Sequence, residues 1–392
     1  MMFFIYTLIF VSFWDLFVQL PITSTYAKSL GAATGFIGFI SGVYSFSNLF
    51  SNIFSGYLVD KNGPKKVLTV GFLINGFVFF SYSLIDTPTQ MFLVRLINGF
   101  TSGILTPALF TYATLYTKNK KSGKTMALAA AAVGLAAITA PAFSGIFSER
   151  ISYDFVYKNV GTTMMICGIL AFLFLKPVES IEEHEEQSKS TLREYGSLFK
   201  IPSIVFGYTG AFSLAFCQGI LAYMLPLKVA NMDAGERMSG ILISVYGIMA
   251  IIFFLMPTNR IFDKFRNEFL LPIGMLIVSG SLLTIAFGTS LGILFAAMSV
   301  YGIGFAILFP ANASLVAKNS ERESRGKGFG LLYAFISLGS MTGQFITGSF
   351  SMSTTEGFIT GAICMLIVSI IVFVGARIVA SASTNHTHHI NS

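Results

Sequence analysis

The chain has 392 residues, of which 54% are hydrophobic and only 11% charged, with a mean hydropathy of +0.73. An average soluble domain is about 25% charged, so a water-soluble enzyme and a disordered chain are both excluded. The net charge of +7 has no basic stripe with interleaved aromatics behind it, which excludes nucleic acid as a partner and leaves the bilayer and small molecules.

A membrane-spanning helix needs roughly 20 mostly apolar residues. Cutting at charge, Pro and Gly clusters gives twelve such runs, centred near Phe10, Leu49, Leu73, Gly103, Ala136, Gly168, Phe216, Ala250, Val278, Ile303, Phe335 and Ile367. The first run starts at Met1 with no basic leader and no cleavage site, so it reads as a retained span. It carries Asp15, with Ser12 three residues before and Gln19 four residues after on one helix face. Span 2 holds a polar stripe, Ser41, Ser45, Asn48, Asn52 and Ser55. Span 4 holds Arg95, with Asn98 on its face; Gly99 and Gly103 form a G-x-x-x-G packing face with Ser102 beside them. In span 5, Pro141 removes a backbone bond and bends the helix. Span 7 offers Gln218 and Tyr223, and span 8 Tyr246. Span 11 repeats the polar rhythm with Ser337, Ser340, Gln344 and Thr347. The three cysteines, Cys167, Cys217 and Cys364, fall in apolar runs and read as buried free thiols; no metal site is expected.

Asp15 and Arg95 are the charges deep in a span. Each costs roughly 2.5–3.5 kcal/mol at mid-bilayer on insertion scales, so each faces a wet cavity or a partner. They are the expected proton-coupling pair. The polar stripes cannot face lipid cheaply. They mark cavity walls or interhelical hydrogen bonds, and the substrate-binding candidates are Ser12, Gln19, Asn48, Asn52, Asn98, Gln218, Tyr223, Tyr246 and Gln344. Trp14, Phe17 and Phe216 can stack on a greasy or cationic substrate.

Loop charges orient the chain. The connections after spans 2, 4, 6, 8 and 10 and the C-terminal tail hold nineteen Lys and Arg residues; the opposite side holds five, Lys28, Arg150, Lys158, Lys228 and Arg237. This bias predicts that both termini are cytoplasmic. The expected organisation is a six-helix bundle over 1–175, a cytoplasmic linker over 176–202 with the charged stretch Glu182-Glu183-His184-Glu185-Glu186, a second six-helix bundle over 203–380, and a disordered tail over 381–392. His386, His388 and His389 in that tail lack carboxylate or Cys support for a metal.

The halves superimpose in sequence at an offset of 203. Asp60-Lys61 falls on Asp263-Lys264, Gly99 on Gly302, Ile104-Leu105-Thr106-Pro107-Ala108 on Ile307-Leu308-Phe309-Pro310-Ala311, and Gly145 on Gly348. A duplicated six-helix unit is a transporter architecture with its site between the halves. Arg95 maps onto Met298, so the copies diverge at the embedded charge.

These landmarks resemble the major facilitator superfamily. Gly56-Tyr57-Leu58-Val59-Asp60-Lys61-Asn62-Gly63-Pro64-Lys65-Lys66 resembles its loop G-x-L-x-D-R-x-G-R-K, with Lys61 for Arg and Pro64 for a basic residue. Arg95-Leu96-Ile97-Asn98-Gly99 resembles the helix-4 pattern R-x-x-Q-G. Gly134 and Ala140-Pro141-Ala142-Phe143-Ser144-Gly145 resemble the antiporter motif G-P-x-x-G-G. Pro21 with Tyr26-Ala27-Lys28-Ser29-Leu30-Gly31 resembles the end of helix 1 in bacterial multidrug exporters. The resemblance implies an all-α membrane protein of twelve helices in two pseudo-symmetric halves. It implies gating by Gly56, Asp60, Gly63, Lys65, Pro141, Gly145 and Asp263, with Asp60 as a latch on the cytoplasmic side and Gly56 admitting a neighbouring helix.

The expected function is proton-coupled export of a small amphipathic molecule or drug across a bacterial plasma membrane by a monomer. The proton gradient is the energy source and there is no cofactor, since no phosphate-binding loop is present. An exporter or flippase of one metabolite, metallophore or lipid-linked substrate is the alternative within transport. A membrane enzyme lacks a nucleophile–base spacing, and a non-transporting sensor is the alternative from another class.

Overall fold

The computed structural model describes residues 1–116, 122–177, 196–256, 267–320 and 325–390; within these, the side chain of Asp60 is outside the description. Asp263 and the acidic stretch 182–186 lie outside the described residues. All regular structure among the described residues is helical. In chain order the helices are α1 (Met2–Val18), α2 (Thr23–Ser29), α3 (Thr34–Asn62), α4 (Pro64–Ser81) with a 3-10 turn at Tyr82–Leu84, α5 (Pro88–Tyr116), α6 (Ser122–Arg150), α7 (Tyr153–Phe174), α8 (Pro202–Ala230), α9 (Glu236–Leu255), α10 (Asn267–Phe287), α11 (Leu291–Asn319), α12 (Arg325–Ser349) and α13 (Thr354–Ile390).

Each predicted centre falls inside one of these helices. Among the described residues, ten helices are long and apolar enough to cross a bilayer, and eleven if α1 and α2 count as one bent span. α3 falls short of that hydropathy because the serines and asparagines of its stripe dilute its apolar side chains. α13 continues through 381–390, where a tail was expected; nothing after Gly375 is a helix-stopping Gly or Pro.

The local sequence explains several boundaries. α1 and α2 meet at 46° in a turn around Pro21, whose ring removes a backbone donor. Gly63 separates α3 from α4 with φ +74°, a conformation that a side chain disfavours, and Pro64 occupies the first position of α4, where no donor is missed. Pro107, Pro141, Pro226, Pro272 and Pro310 lie inside helices, as membrane helices tolerate.

The chain forms two compact units. The first comprises Met1–His184, Leu221–Gly247 and Gln344–Thr354; the second comprises Glu185–Ile220, Ile248–Gly343 and Thr355–Ser392. In the first, α3 and α5 touch backbone to backbone. A Cβ built on Gly99 would strike the Tyr44 carbonyl, and one on Gly103 would lie 2.9 Å from the Asn48 carbonyl. The G-x-x-x-G face is therefore a tight helix contact. In the second unit, Tyr208 is buried and stacks on Phe335 at 5.2 Å, and Ser281 on α10 donates to the Ala297 carbonyl of α11 at 2.6 Å.

Candidate functional site

The buried polar side chains of the first unit converge on Asp15, which is fully buried. Asp15 and Gln19 lie one helical turn apart on α1, so their side chains meet. Gln19 Nε2 donates to Asp15 Oδ1 at 3.0 Å. The second carboxylate oxygen accepts from Asn75 Nδ2 of α4 and from Ser102 Oγ of α5, each at 2.7 Å. Arg95, Asn98 and Ser102 share a face of α5 at helical spacing. Asn98 Nδ2 donates to Asn75 Oδ1 at 2.9 Å, and Thr101 Oγ1 donates to the same oxygen at 2.7 Å.

Arg95 is 7% exposed, and its hydrogen bonds go to groups other than the carboxylate. Its Nη1 donates to Gln19 Oε1 at 2.6 Å and to Thr23 Oγ1 at 3.3 Å, its Nε to the Ile40 carbonyl at 2.9 Å, and its Nη2 to the Ser41 carbonyl at 3.2 Å. Its guanidinium lies 5.2 Å over the Tyr44 ring, a cation–π position. Gln19 therefore bridges the two charges, its carbonyl end on Arg95 and its amide end on Asp15. Tyr82 closes the group, donating to Gln19 Oε1 at 3.2 Å and to Asn98 Oδ1 at 3.3 Å. Its ring stacks on buried Tyr157 at 4.3 Å.

The break at Pro21 helps build this arrangement. Gln19 sits at the end of α1, and its carbonyl accepts from the Thr23 hydroxyl at 2.6 Å as well as from the Thr23 N–H at 3.0 Å. The turn thereby places Thr23 beside Arg95. The site offers an acid held by three neutral donors, with a guanidinium one amide away. Such a group can exchange a proton when its surroundings change, without moving a metal or a cofactor.

The sequence-predicted residues separate into three sets. Asp15, Gln19, Arg95 and Asn98 come together, and Ser12 is buried on α1 one turn before Asp15. Asn48 donates to the Gly99 carbonyl at 3.4 Å and accepts from Asn52 at 2.8 Å, while Ser55 donates to the Ile104 carbonyl at 2.9 Å. That part of the α3 stripe ties α3 to α5. The Tyr223 hydroxyl donates to the Thr34 carbonyl at 2.6 Å, and Tyr246 is buried. Gln344 is buried with an Oε1 that has no hydrogen-bond partner. Gln218 belongs to the second unit.

Among the gating candidates, Pro141 and Gly145 sit against α9: a Cβ on Gly145 would lie 2.5 Å from the Glu236 carbonyl. The Tyr153 hydroxyl donates to the Glu236 carboxylate in the same region. Lys65 Nζ lies 5.9 Å over the Phe172 ring. Gly56 departs from expectation, since a Cβ built there meets nothing within 4 Å among the described residues. Close approach to α3 occurs instead at Gly35 and Gly38, which meet Gly348, and at Tyr44 and Asn48, which meet Gly99 and Gly103 of α5.

Asn75, Tyr82, Thr23 and Thr101 were missed. Asn75 carried a usable signal: it is an amide inside the apolar run of span 3, a position that needs a partner.

Residues 5–278 and 233–388 match the Major Facilitator Superfamily. The chain thus belongs to the Major Facilitator Superfamily and is a multi-pass transporter, not an enzyme. It is 24% identical to an uncharacterised MFS-type transporter of Methanocaldococcus jannaschii, over 82% of this chain and 84% of that one. It is 23% identical to multidrug resistance protein 1 of Bacillus subtilis, over 87% of each. Its fold is similar to that of a variant of the nucleoside transporter NupG, with a TM-score of 0.80 at 17% identity, covering 95% of this chain and 99% of that one.

Proposed function

We propose that this chain is a proton-coupled exporter of small amphipathic molecules. In this reading it has twelve spans in two six-helix halves that rock about a central site. It works as a monomer in a bacterial plasma membrane with both termini cytoplasmic, and the proton gradient supplies the energy. The observation that carries the reading is the buried Asp15 carboxyl, joined to Arg95 through Gln19. An acid inside a membrane protein is a functional group by default. Its likeness to multidrug resistance protein 1 of Bacillus subtilis supports export of amphipathic compounds.

Asp15 takes a proton from the outer side and releases it to the inner side, and Arg95 answers the change in charge through the Gln19 amide. The substrate meets Ser12, Gln344 and the aromatic surface of Trp14. The Trp14 indole lies 4.8 Å from Phe143, and its N–H is buried without an acceptor, so it is a donor that a substrate carbonyl can use. Asp15 is the sole buried acid among the described residues. This also suits an exporter of one uncharged or zwitterionic metabolite. Drug susceptibility of a deletion strain, set beside metabolite profiling of its medium, separates the two.

The test is substrate flux in proteoliposomes under an imposed pH gradient. Asp15→Asn should abolish gradient-driven flux while retaining passive exchange. Full gradient-driven flux by Asp15→Asn would remove this acid from the mechanism.

A further inference from the structure

In the first unit α6 and α9 meet along a seam of small residues. A Cβ on Gly240 would strike the Pro141 carbonyl, and one on Gly145 would lie 3.0 Å from the Gly240 Cα. Ser244 Oγ of α9 donates to the Ile138 carbonyl at 2.7 Å. Contacts of this kind carry no titratable group.

The end of the seam is different. Glu149 stands in the last turn of α6, where its own helix dipole disfavours an acid. Its carboxylate accepts from the Arg237 N–H at 2.9 Å. That N–H lies in the first turn of α9, where it has no partner within the helix and the dipole is positive. A Cβ on Gly235 would strike the same carboxylate, so the turn into α9 is shaped around it. Glu236 of α9 reaches the other way and accepts from the Tyr153 hydroxyl of α7. The Tyr153 ring stacks on Tyr26 of α2 at 4.5 Å. The further ionisable groups here are Arg150 on α6, Asp154 and Lys158 on α7, paired at 3.5 Å, and Asp233 and Arg237 beside Glu236 in the chain.

The duplication carries Gly145 onto Gly348, and Gly348 meets Gly38 of α3 as Gly145 meets Gly240. At the same offset Glu149 falls on Met352 and Glu236 on Ala33. The two carboxylates are therefore an addition to one of two related seams, beyond what close packing requires.

We infer that Glu149, Glu236 and Tyr153 form an acid-sensitive clasp on the α6–α9 seam. Both bonds are made to carboxylate anions, and a charge-assisted bond is roughly twice as strong as a neutral one. The clasp is at full strength above the carboxylate range and weakens as pH falls through it. This rests on the rocking motion proposed above. The charge bias assigns this end of the bundle to the outer side, so outside acid releases a seam that must part there, and protons act at a second point besides Asp15.

Double electron–electron resonance reads the opening without any transport. Spin labels go on Ile151→Cys and Asn231→Cys, both exposed positions, in full-length protein with its three native cysteines changed to alanine. Asp15→Asn is carried throughout, which removes the buried acid's own response. Acidification of this parent from neutral pH into the carboxylate range should populate a longer distance. Glu149→Gln with Glu236→Gln should populate it about fivefold more at neutral pH and abolish the response to acid. An acid response of equal size in the double variant overturns the clasp, as does a parent seam that opens equally at both pH values. A seam that stays closed in the parent and in every variant at both pH values would refute the rocking motion and the clasp together. If the double variant does not fold, Tyr153→Phe, which keeps the ring on Tyr26, decides. It should open the seam about twofold more at neutral pH, and an unchanged distance refutes the clasp.

Discussion

Among the described residues, Gln19 is the side chain that hydrogen-bonds to both Asp15 and Arg95. Gln19→Leu keeps most of the volume and deletes the polar end. Five hydrogen bonds go: those to the Asp15 carboxylate, the Asp15 carbonyl and Asn98, and those from Arg95 and Tyr82. Two of them involve charged groups, each worth about 1.5–3 kcal/mol in soluble proteins. Interhelical hydrogen bonds in membranes average only about 0.6 kcal/mol, with a ceiling near 1.7. Arg95 keeps Thr23, Ile40 and Ser41, and Asp15 keeps Asn75 and Ser102, which trims the loss. The expected destabilisation is therefore about 2–4 kcal/mol, measured by unfolding in mixed micelles with added SDS. Gradient-driven flux in proteoliposomes should fall with it. Gln19→Glu separates structure from coupling. It gives Arg95 a direct ionic partner but turns the donor toward Asp15 and Asn98 into an acceptor, so the protein should unfold less easily than Gln19→Leu and more easily than wild type. Flux should still be lost, because a second carboxyl stands beside Asp15. Wild-type flux from Gln19→Leu, with stability within about 0.5 kcal/mol of wild type, would refute the idea that this amide links the charges.

Arg95→Lys should cost about 1–3 kcal/mol and most of the flux, because an ammonium cannot reproduce the fork that reaches Gln19, Thr23, Ile40 and Ser41; micelle unfolding and flux check it together. Gly99→Val should reduce the yield of monodisperse protein in size-exclusion chromatography, at a cost of about 3 kcal/mol or more, since its Cβ would strike the Tyr44 backbone. Gly56→Ala, with nothing within 4 Å, should stay within about 0.5 kcal/mol of wild type. Gly63→Ala should destabilise by about 1–3 kcal/mol through its backbone of φ +74° and ψ 148° alone, readable as a lowered unfolding midpoint.

Helix positions were legible because apolar length is a strong signal, and so was the tight face of Gly99 and Gly103. Asp15 and Arg95 were legible for the opposite reason: a charge in an apolar run is expensive and conspicuous. What one-dimensional spacing could not give was the third dimension of the site. Asp15 and Asn75 are 60 residues apart and share a 2.7 Å hydrogen bond, and nothing in the periodicity of α4 points toward α1. The α3 stripe shows the converse limit. Asn48, Asn52 and Ser55 repeat as a cavity wall would, yet Asn48 and Ser55 spend their donors on α5 backbone. A polar stripe and a helix–helix seam have the same period, so sequence alone leaves them unresolved.

The same reasoning explains why a neutral amide, and not direct contact, separates the two charges. A bare Asp–Arg pair in low dielectric is held by a Coulomb attraction that protonation of the acid would abolish at once. With Gln19 between them, Arg95 keeps hydrogen bonds to the Ile40 and Ser41 carbonyls and to the Gln19 carbonyl whatever the state of Asp15. Asp15 likewise keeps Asn75 and Ser102 as neighbours, and Ser102 can turn its hydroxyl from donor to acceptor if the carboxyl gains a proton. The charge of the acid can then change without breaking the fold of the first unit. In the proposed mechanism coupling to α3 would pass through Arg95, whose Nε and Nη2 both hold carbonyls of that helix. Within this unit, α3 is also the helix whose Gly35 and Gly38 meet Gly348 of α12. A shift of Arg95 on protonation would therefore be passed directly to a packed helix contact.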